Sequence, residues 1–86
     1  MKIENNRYFK TTNLSLAVFL YAIDQQIAGI NTINDSKQKE FVFVKTPRLE
    51  ELENLYKFGD RKDERLLVSV HKYEIARKEL LDRLND

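Results

Sequence analysis

Three stretches of this chain have the residue pattern of β-strands. The first is the short run Tyr8–Thr11, and the second is Ile27–Asn34, which is rich in β-branched residues. Gly29 inside the second stretch is typical of a bulge or of a close backbone approach. The third stretch, Glu40–Lys45, alternates Phe and Val, so both of its faces are apolar, as expected of a central strand. Because a short polar loop separates the second and third stretches, we expect them to form a hairpin.

Three further stretches predict helices, and each follows a residue whose side chain can cap it. An apolar run, Leu14 to Ile23, forms the first helix, and Asp24 follows it. The second helix begins at Pro47, which suits a first helical position, and ends at Gly59. The third runs to the end of the chain. The predicted caps are Thr12 or Asn13 for the first helix, Thr46 for the second and Ser69 for the third.

The second and third helices each carry one apolar stripe at helical spacing. In the second helix the stripe is Leu49, Leu52, Leu55 and Tyr56. In the third it is Tyr73, Ala76, the methylene stem of Arg77, Leu80, Leu81 and Leu84. On the polar side of the third helix, Glu74–Lys78 and Glu79–Arg83 have the i,i+4 spacing of ion pairs.

The order β-α-β-β-α-α predicts an α+β fold, with a small three-stranded antiparallel sheet packed by helices. The apolar run Leu66–Val68, just before the last helix, either adds a short fourth strand or forms a buried connector. Without a repeat, linker or low-complexity tract, the chain is expected to form one domain over residues 1–86, with an ordered core of about 7–84.

The first helix is apolar on nearly every side, so more than one of its faces must be covered. Either the rest of the chain covers it, or a second copy does. Under the second hypothesis the protein is a homodimer, with Val18 as an exposed position at the contact. The residues predicted for self-association are Leu14, Val18, Tyr21 and Ala22.

Composition narrows the classes of protein to consider. The chain is 42% hydrophobic and 34% charged, which is typical of a globular domain. It has no cysteine, so disulfides, zinc–thiolate sites and cysteine nucleophiles are excluded. The first thirteen residues are polar and charged, and Leu14–Ile23 is far shorter than the ~20 apolar residues of a membrane span. We therefore expect a soluble, cytoplasmic protein without a signal peptide.

The sequence predicts no catalytic, cofactor-binding or metal-binding residues. His71 is the only histidine, and no nucleophile pattern accompanies it. The acidic residues of the second helix suit its N-terminus, and those after Gly59 alternate with basic residues. The two glycines are too far apart for a phosphate-binding loop. An enzyme is therefore not expected.

Basic and aromatic residues are interleaved on the first strand and the hairpin, as in sheets that hold phosphates and stack bases. Lysines on a solvated sheet edge, which discourage aggregation, give the same pattern. The net charge of +1 does not favour nucleic acid as a partner. The residues predicted for nucleic-acid contact are Arg7, Tyr8, Lys10, Lys37, Lys39 and Lys45.

The run Thr11–Leu20 (TTNLSLAVFL) resembles the T-x-D-L-x-L-A-x-F-L opening of a family of small phage, prophage and bacterial proteins known only as a domain of unknown function. The similarity continues through Phe41–Phe43, Leu52–Gly59 and the last helix, over roughly residues 8–84. This chain has Asn13 where the family usually has Asp and Asp24 where it usually has Gly. The resemblance implies a phage or mobile-element origin and no known activity.

Two functions are carried forward from the sequence. The first is a non-enzymatic interaction protein that binds a host or phage protein and forms a homodimer. The alternative is a small accessory nucleic-acid-binding protein that uses the basic first strand and hairpin.

Overall fold

The computed structural model describes residues 7–33, 38–60 and 62–84. These residues form the α+β fold and the order β-α-β-β-α-α that the sequence predicts. A single turn of 3-10 helix, Glu64–Leu66, precedes the last α-helix. The strands are β1 (Tyr8–Thr11), β2 (Ile27–Thr32) and β3 (Lys39–Val44), and the helices are α1 (Leu14–Ala22), α2 (Pro47–Phe58) and α3 (Val70–Leu84).

All three α-helices begin at caps that the sequence predicts. Asn13, rather than Thr12, caps α1, Thr46 caps α2 and Ser69 caps α3. Each cap oxygen accepts a hydrogen bond from the backbone N–H three residues further on, at 3.1, 3.0 and 3.0 Å respectively. Such a cap is worth ~1 kcal/mol, so short polar side chains fix where each helix starts.

Strand β3 is the central strand of an antiparallel sheet with the order β1-β3-β2. Phe43 lies between Phe9 of β1 and Ile27 of β2, so three apolar side chains stand side by side on one face. The register shifts between Ile27 and Gly29, which is the bulge predicted at the glycine. A central strand with two apolar faces is confirmed.

The two faces of the sheet have different surroundings. Phe41 and Phe43 belong to the main hydrophobic core, together with buried residues of all three helices. Val42 points to the opposite face, where it is buried but lies outside that core. The core is therefore a single layer between one face of the sheet and the helices.

Helix α1 lies in the middle of this core. It packs against α3, α2 and β1 of the same chain. These neighbours cover its apolar surface on several sides, which confirms the first of the two alternatives considered for this helix. Its buried residues are Leu16, Ala17, Val18, Phe19, Leu20 and Ala22.

The fourth strand suggested for Leu66–Val68 is absent, since Leu66 ends the 3-10 turn and the next two residues have no regular structure. The side chain of Asp63 accepts a hydrogen bond from the backbone N–H of Arg65 at 2.9 Å, which favours a tight turn over an extended strand. Leu66 and Val68 are half-buried and Leu67 is exposed, so the segment is a partly buried connector.

Helix α2 ends where a side chain would not fit. The backbone N–H of Gly59 donates to the carbonyl of Leu55 at 2.7 Å. A Cβ at position 59 would lie 2.6 Å from that same carbonyl oxygen, closer than real Cβ atoms come to their neighbours. The close approach of the two backbones explains the glycine without any unusual dihedral angle.

Asp24 follows α1 and has a φ of 69°, in the left-handed region that favours glycine. Its backbone N–H donates to the carbonyl of Tyr21 at 3.1 Å, which turns the chain away from the helix. Position 24 therefore has the conformation that glycine adopts most easily.

We expect Asp24→Val to lower the free energy of unfolding by about 1–2 kcal/mol, because a β-branched side chain is strained in the left-handed region. Asp24→Gly should change it by less than about 1 kcal/mol, since relief of strain offsets the greater entropy of the unfolded chain. Urea unfolding gives both values, with Gln26→Val as the control. Equal losses for Asp24→Val and Gln26→Val would contradict the assignment.

Two phenylalanines, one fully buried and one largely exposed, provide a matched test of the core. Phe43 is 0% exposed and Phe58 is 82% exposed. Phe43→Ala should cost ~3–5 kcal/mol in unfolding free energy, because it leaves a cavity in a packed core. Phe58→Ala should cost less than about 0.5 kcal/mol. Similar losses for both variants in denaturant unfolding would show that β3 is not the centre of the sheet.

Candidate functional site

A groove of about 760 Å³ lies beside α3. One wall is a face of α3 that extends from Val70 to Asp82. The opposite side comes from α1, α2 and the connector before α3. The lining residues outside α3 are Ser15, Phe19, Tyr56, Leu66 and Val68, and those on α3 are Val70, Tyr73, Glu74, Arg77, Lys78, Leu81 and Asp82.

The inner part of the groove is apolar and rich in aromatic rings. The rings of Phe19 and Tyr56 have centroids 5.3 Å apart and are tilted by 35°. Tyr56, Tyr73 and Leu81 are only half-buried, so part of their apolar surface meets solvent. A ligand that covered these side chains would remove that surface from water, at roughly 25 cal/mol per Å².

Exposed apolar surface continues at one end of the groove. Val70, on its wall, is 72% exposed. Single exposed apolar residues are common on protein surfaces, but one that adjoins an apolar groove enlarges the apolar surface that a partner could cover.

Four charged side chains of α3 line the groove, in the order Glu74, Arg77, Lys78 and Asp82. Along the helix axis the charges run negative, positive, positive, negative. None of the four takes part in the ion pairs found among the described residues. The predicted Glu74–Lys78 pair is therefore wrong, and these charges are open to a ligand.

The predicted Glu79–Arg83 pair is also wrong, because both residues interact with Tyr21 of α1. The Tyr21 hydroxyl donates to Glu79 at 2.9 Å, and the Arg83 guanidinium lies 5.9 Å from the centre of the Tyr21 ring. The hydrogen bond to Glu79, followed by burial, raises the pKa of Tyr21 above its ordinary value. These contacts fix α3 on α1, on the side of α3 away from the groove.

The connector is held in the groove wall by a second set of charges. Arg65 pairs with Asp63 at 3.0 Å and with Glu51 of α2 at 3.2 Å. The Arg65 side chain holds the pKa of Asp63 below its ordinary value, chiefly by hydrogen bonding. Arg65 thus ties the segment that carries Leu66 and Val68 to α2.

The residues predicted for self-association do not form a surface. Val18 and Ala22 are buried in the core of their own chain, so their assignment to a contact with a second copy is wrong. Leu14 and Tyr21 are half-buried, and Tyr21 is engaged by α3. The sequence predicted an exposed contact for these residues because it does not reveal that α3 of the same chain packs on α1. Self-association itself stays a prediction.

We expect Val18→Glu to unfold the chain rather than to separate a dimer. Val18 is 0% exposed, so an unpaired carboxylate there should cost about 3–5 kcal/mol. Ser15→Glu, at an exposed position of the same helix, should cost less than about 0.5 kcal/mol. Circular dichroism and light scattering check both. A folded Val18→Glu variant of lower mass than the wild type would instead support the dimer contact.

The residues predicted for nucleic-acid contact are neighbours in part but do not form one surface. Tyr8 and Lys10 share the sheet face of Val42 and Val44, as their register pairs show. On other parts of the surface, Lys39 donates to Thr32 at 2.8 Å, and Lys45 pairs with Glu50 of α2 at 3.6 Å. Arg7 precedes β1, where its carbonyl accepts from the Lys45 N–H at 2.6 Å. Lys37 lies outside the described residues.

Reactive side chains are not clustered elsewhere in the part of the chain that the structure describes. His71, near the start of α3, is exposed. Within residues 7–33, 38–60 and 62–84, no group of three metal-ligating side chains comes together. None of the helices in those ranges is both long and apolar enough to cross a membrane.

The groove is the feature that sequence reasoning missed. Its signal was the breadth of the apolar stripe on α3, which extends beyond the buried positions Ala76 and Leu80. Val70, Tyr73 and Leu81 lie to one side of those positions. A stripe wider than its partner helix can cover indicates a second, open contact face.

Comparison with family models, curated proteins and solved structures gave no match. The resemblance of Thr11–Leu20 to phage and prophage proteins, and the origin that it implies, therefore stay predictions. Function must be inferred from the geometry of the groove.

Proposed function

We propose that this protein is a non-catalytic binding protein that holds a segment of a partner protein in the groove beside α3. The observation that carries the proposal is the groove itself, with half-buried aromatic side chains inside it and unpaired charges along it. Apolar anchors surrounded by polar residues are the common arrangement of protein contact sites. This is the first of the two functions carried forward from the sequence.

The shape of the groove favours a polypeptide over a small molecule. Its wall on α3 runs from Val70 to Asp82, which corresponds to about 18 Å at the rise of an α-helix. Sites for small molecules bury ~70–90% of the ligand surface. Here Val70, at one end, is largely exposed, so a long ligand that lies along the groove fits better than an enclosed compact one.

Nucleic acid is the less favoured partner. Phosphate contacts need several cations on one surface. The described basic residues of the first strand and hairpin are divided between surfaces, and Lys45 is engaged by an acidic partner. The groove itself carries two acidic residues beside its two basic ones.

Selection of peptides from a random library on the wild-type protein tests the proposal. Val70→Glu should weaken binding of the selected peptides by about tenfold or more, because it puts a charge among the apolar contacts. Ile75→Glu is the matched control, since Ile75 is an exposed apolar residue of α3 that does not line the groove. It should leave affinity within about twofold, as expected outside a contact surface.

Two outcomes would contradict this proposal. Selected peptides that bind Val70→Glu as tightly as the wild type would place binding elsewhere on the protein. Steeply salt-dependent binding to nonspecific DNA or RNA, lost in Lys10→Glu and kept in Val70→Glu, would favour the nucleic-acid alternative.

A further inference from the structure

Resting on the proposed function, we infer that the ligand of the groove is an amphipathic helix with acidic residues at its centre and basic residues towards both ends. The inference joins three observations: the nature of the groove wall, its length and the order of the charges along it. Each restricts the ligand in a different way.

The groove wall favours a helical ligand over an extended one. An added strand binds chiefly through main-chain hydrogen bonds to an open sheet edge. The long wall of this groove is the side of α3, whose interior N–H and carbonyl groups are used within the helix. A ligand placed there gains no main-chain hydrogen bonds from this wall, and a helix bonds its own backbone while it presents one apolar face.

The length of the wall sets the length of the ligand. Val70 to Asp82 covers on the order of three helical turns, so a parallel or antiparallel ligand helix of similar length spans it. Its apolar residues, at i, i+3, i+4 and i+7, would meet Tyr56, Tyr73 and Leu81.

The order of charges on α3 sets the charge pattern of the ligand. Arg77 and Lys78 are central in the wall, with Glu74 towards one end and Asp82 towards the other. A complementary ligand is therefore acidic in the middle and basic on both sides, whichever direction its chain runs. Because these four side chains form no ion pairs in the structure, they need not break one to bind.

The same pattern argues against a second copy of α3 as the occupant. When two such helices meet antiparallel with their charge patterns aligned, Arg77 and Lys78 of one face the same residues of the other. Glu74 of one then faces Asp82 of the other. In this aligned register like charges are opposed at the centre and at both ends, which disfavours the pairing. A partner with the complementary charge order meets no such repulsion.

Two synthetic amphipathic helices of about three and a half turns test the inference. Both have the same apolar face and the same composition. The first has two Glu in the middle and Lys towards both ends, and the second has Glu and Lys exchanged. We expect the wild type to bind the first about tenfold more tightly, as several exposed ion pairs would give. Fluorescence anisotropy at low salt measures both affinities.

Charge reversal at the centre of the wall should abolish the preference. Arg77→Glu with Lys78→Glu is expected to bind both peptides about equally, because Glu74 and Asp82 still favour Lys at the ends of the first peptide while the new Glu residues favour Lys at the centre of the second. Lys10→Glu with Lys72→Glu gives the same change in net charge away from the groove, and should keep the wild-type order. If the reversed protein does not fold, Arg77→Gln with Lys78→Gln serves instead and should reduce the preference from about tenfold to about threefold, because Glu74 and Asp82 still distinguish the peptides.

A third peptide, with the first sequence but a proline at its centre, should bind at least about tenfold more weakly if the ligand is a helix. Equal binding of all three through the groove would overturn the inference and leave the proposed function intact. Tighter binding of the second peptide by the wild type would also overturn it. So would failure of both helical peptides to bind, and the library selection would then decide whether the groove binds protein at all.

Discussion

Burial of helix α1 is the constraint on which the rest of this structure depends. Its central residues are apolar on every side, and such a helix is stable in water only if other elements surround it. Here α3, α2 and β1 pack against it, and Phe41 and Phe43 of the sheet share its core. The small chain can meet this demand without a second copy, because its sheet and helices close around one short helix.

The way α1 is covered also creates the groove. Ala76 and Leu80 of α3 are buried in the α1 core, and Glu79 and Arg83 engage Tyr21 from one side. With α3 held there, no helix among the described residues covers all of its adjoining face, and Tyr73 stays partly exposed. The contact that completes the core therefore leaves the open groove beside it.

Local rules were sufficient to predict most of the fold. Hydrogen-bonding side chains such as Thr46 and Ser69 determine where helices begin, and the apolar alternation around Phe43 determines which strand is central. Predictions failed where the outcome depended on distant packing. Whether Val18 is covered, and whether Glu79 pairs with Arg83 or with Tyr21, is decided by how α3 lies on α1, which sequence spacing does not reveal.

The distinction between local rules and distant packing also applies to the ion pairs of α3. On an isolated α3 helix, i,i+4 spacing would pair Glu74 with Lys78, but such pairs are worth only ~0.3–0.5 kcal/mol. That is too little to hold exposed side chains together, so small changes in packing or solvation leave them separate. Charges that are weakly held by their own helix cost little to realign towards a partner. In the proposed complex, the weak pairing within α3 would therefore leave its charge order available to select a ligand.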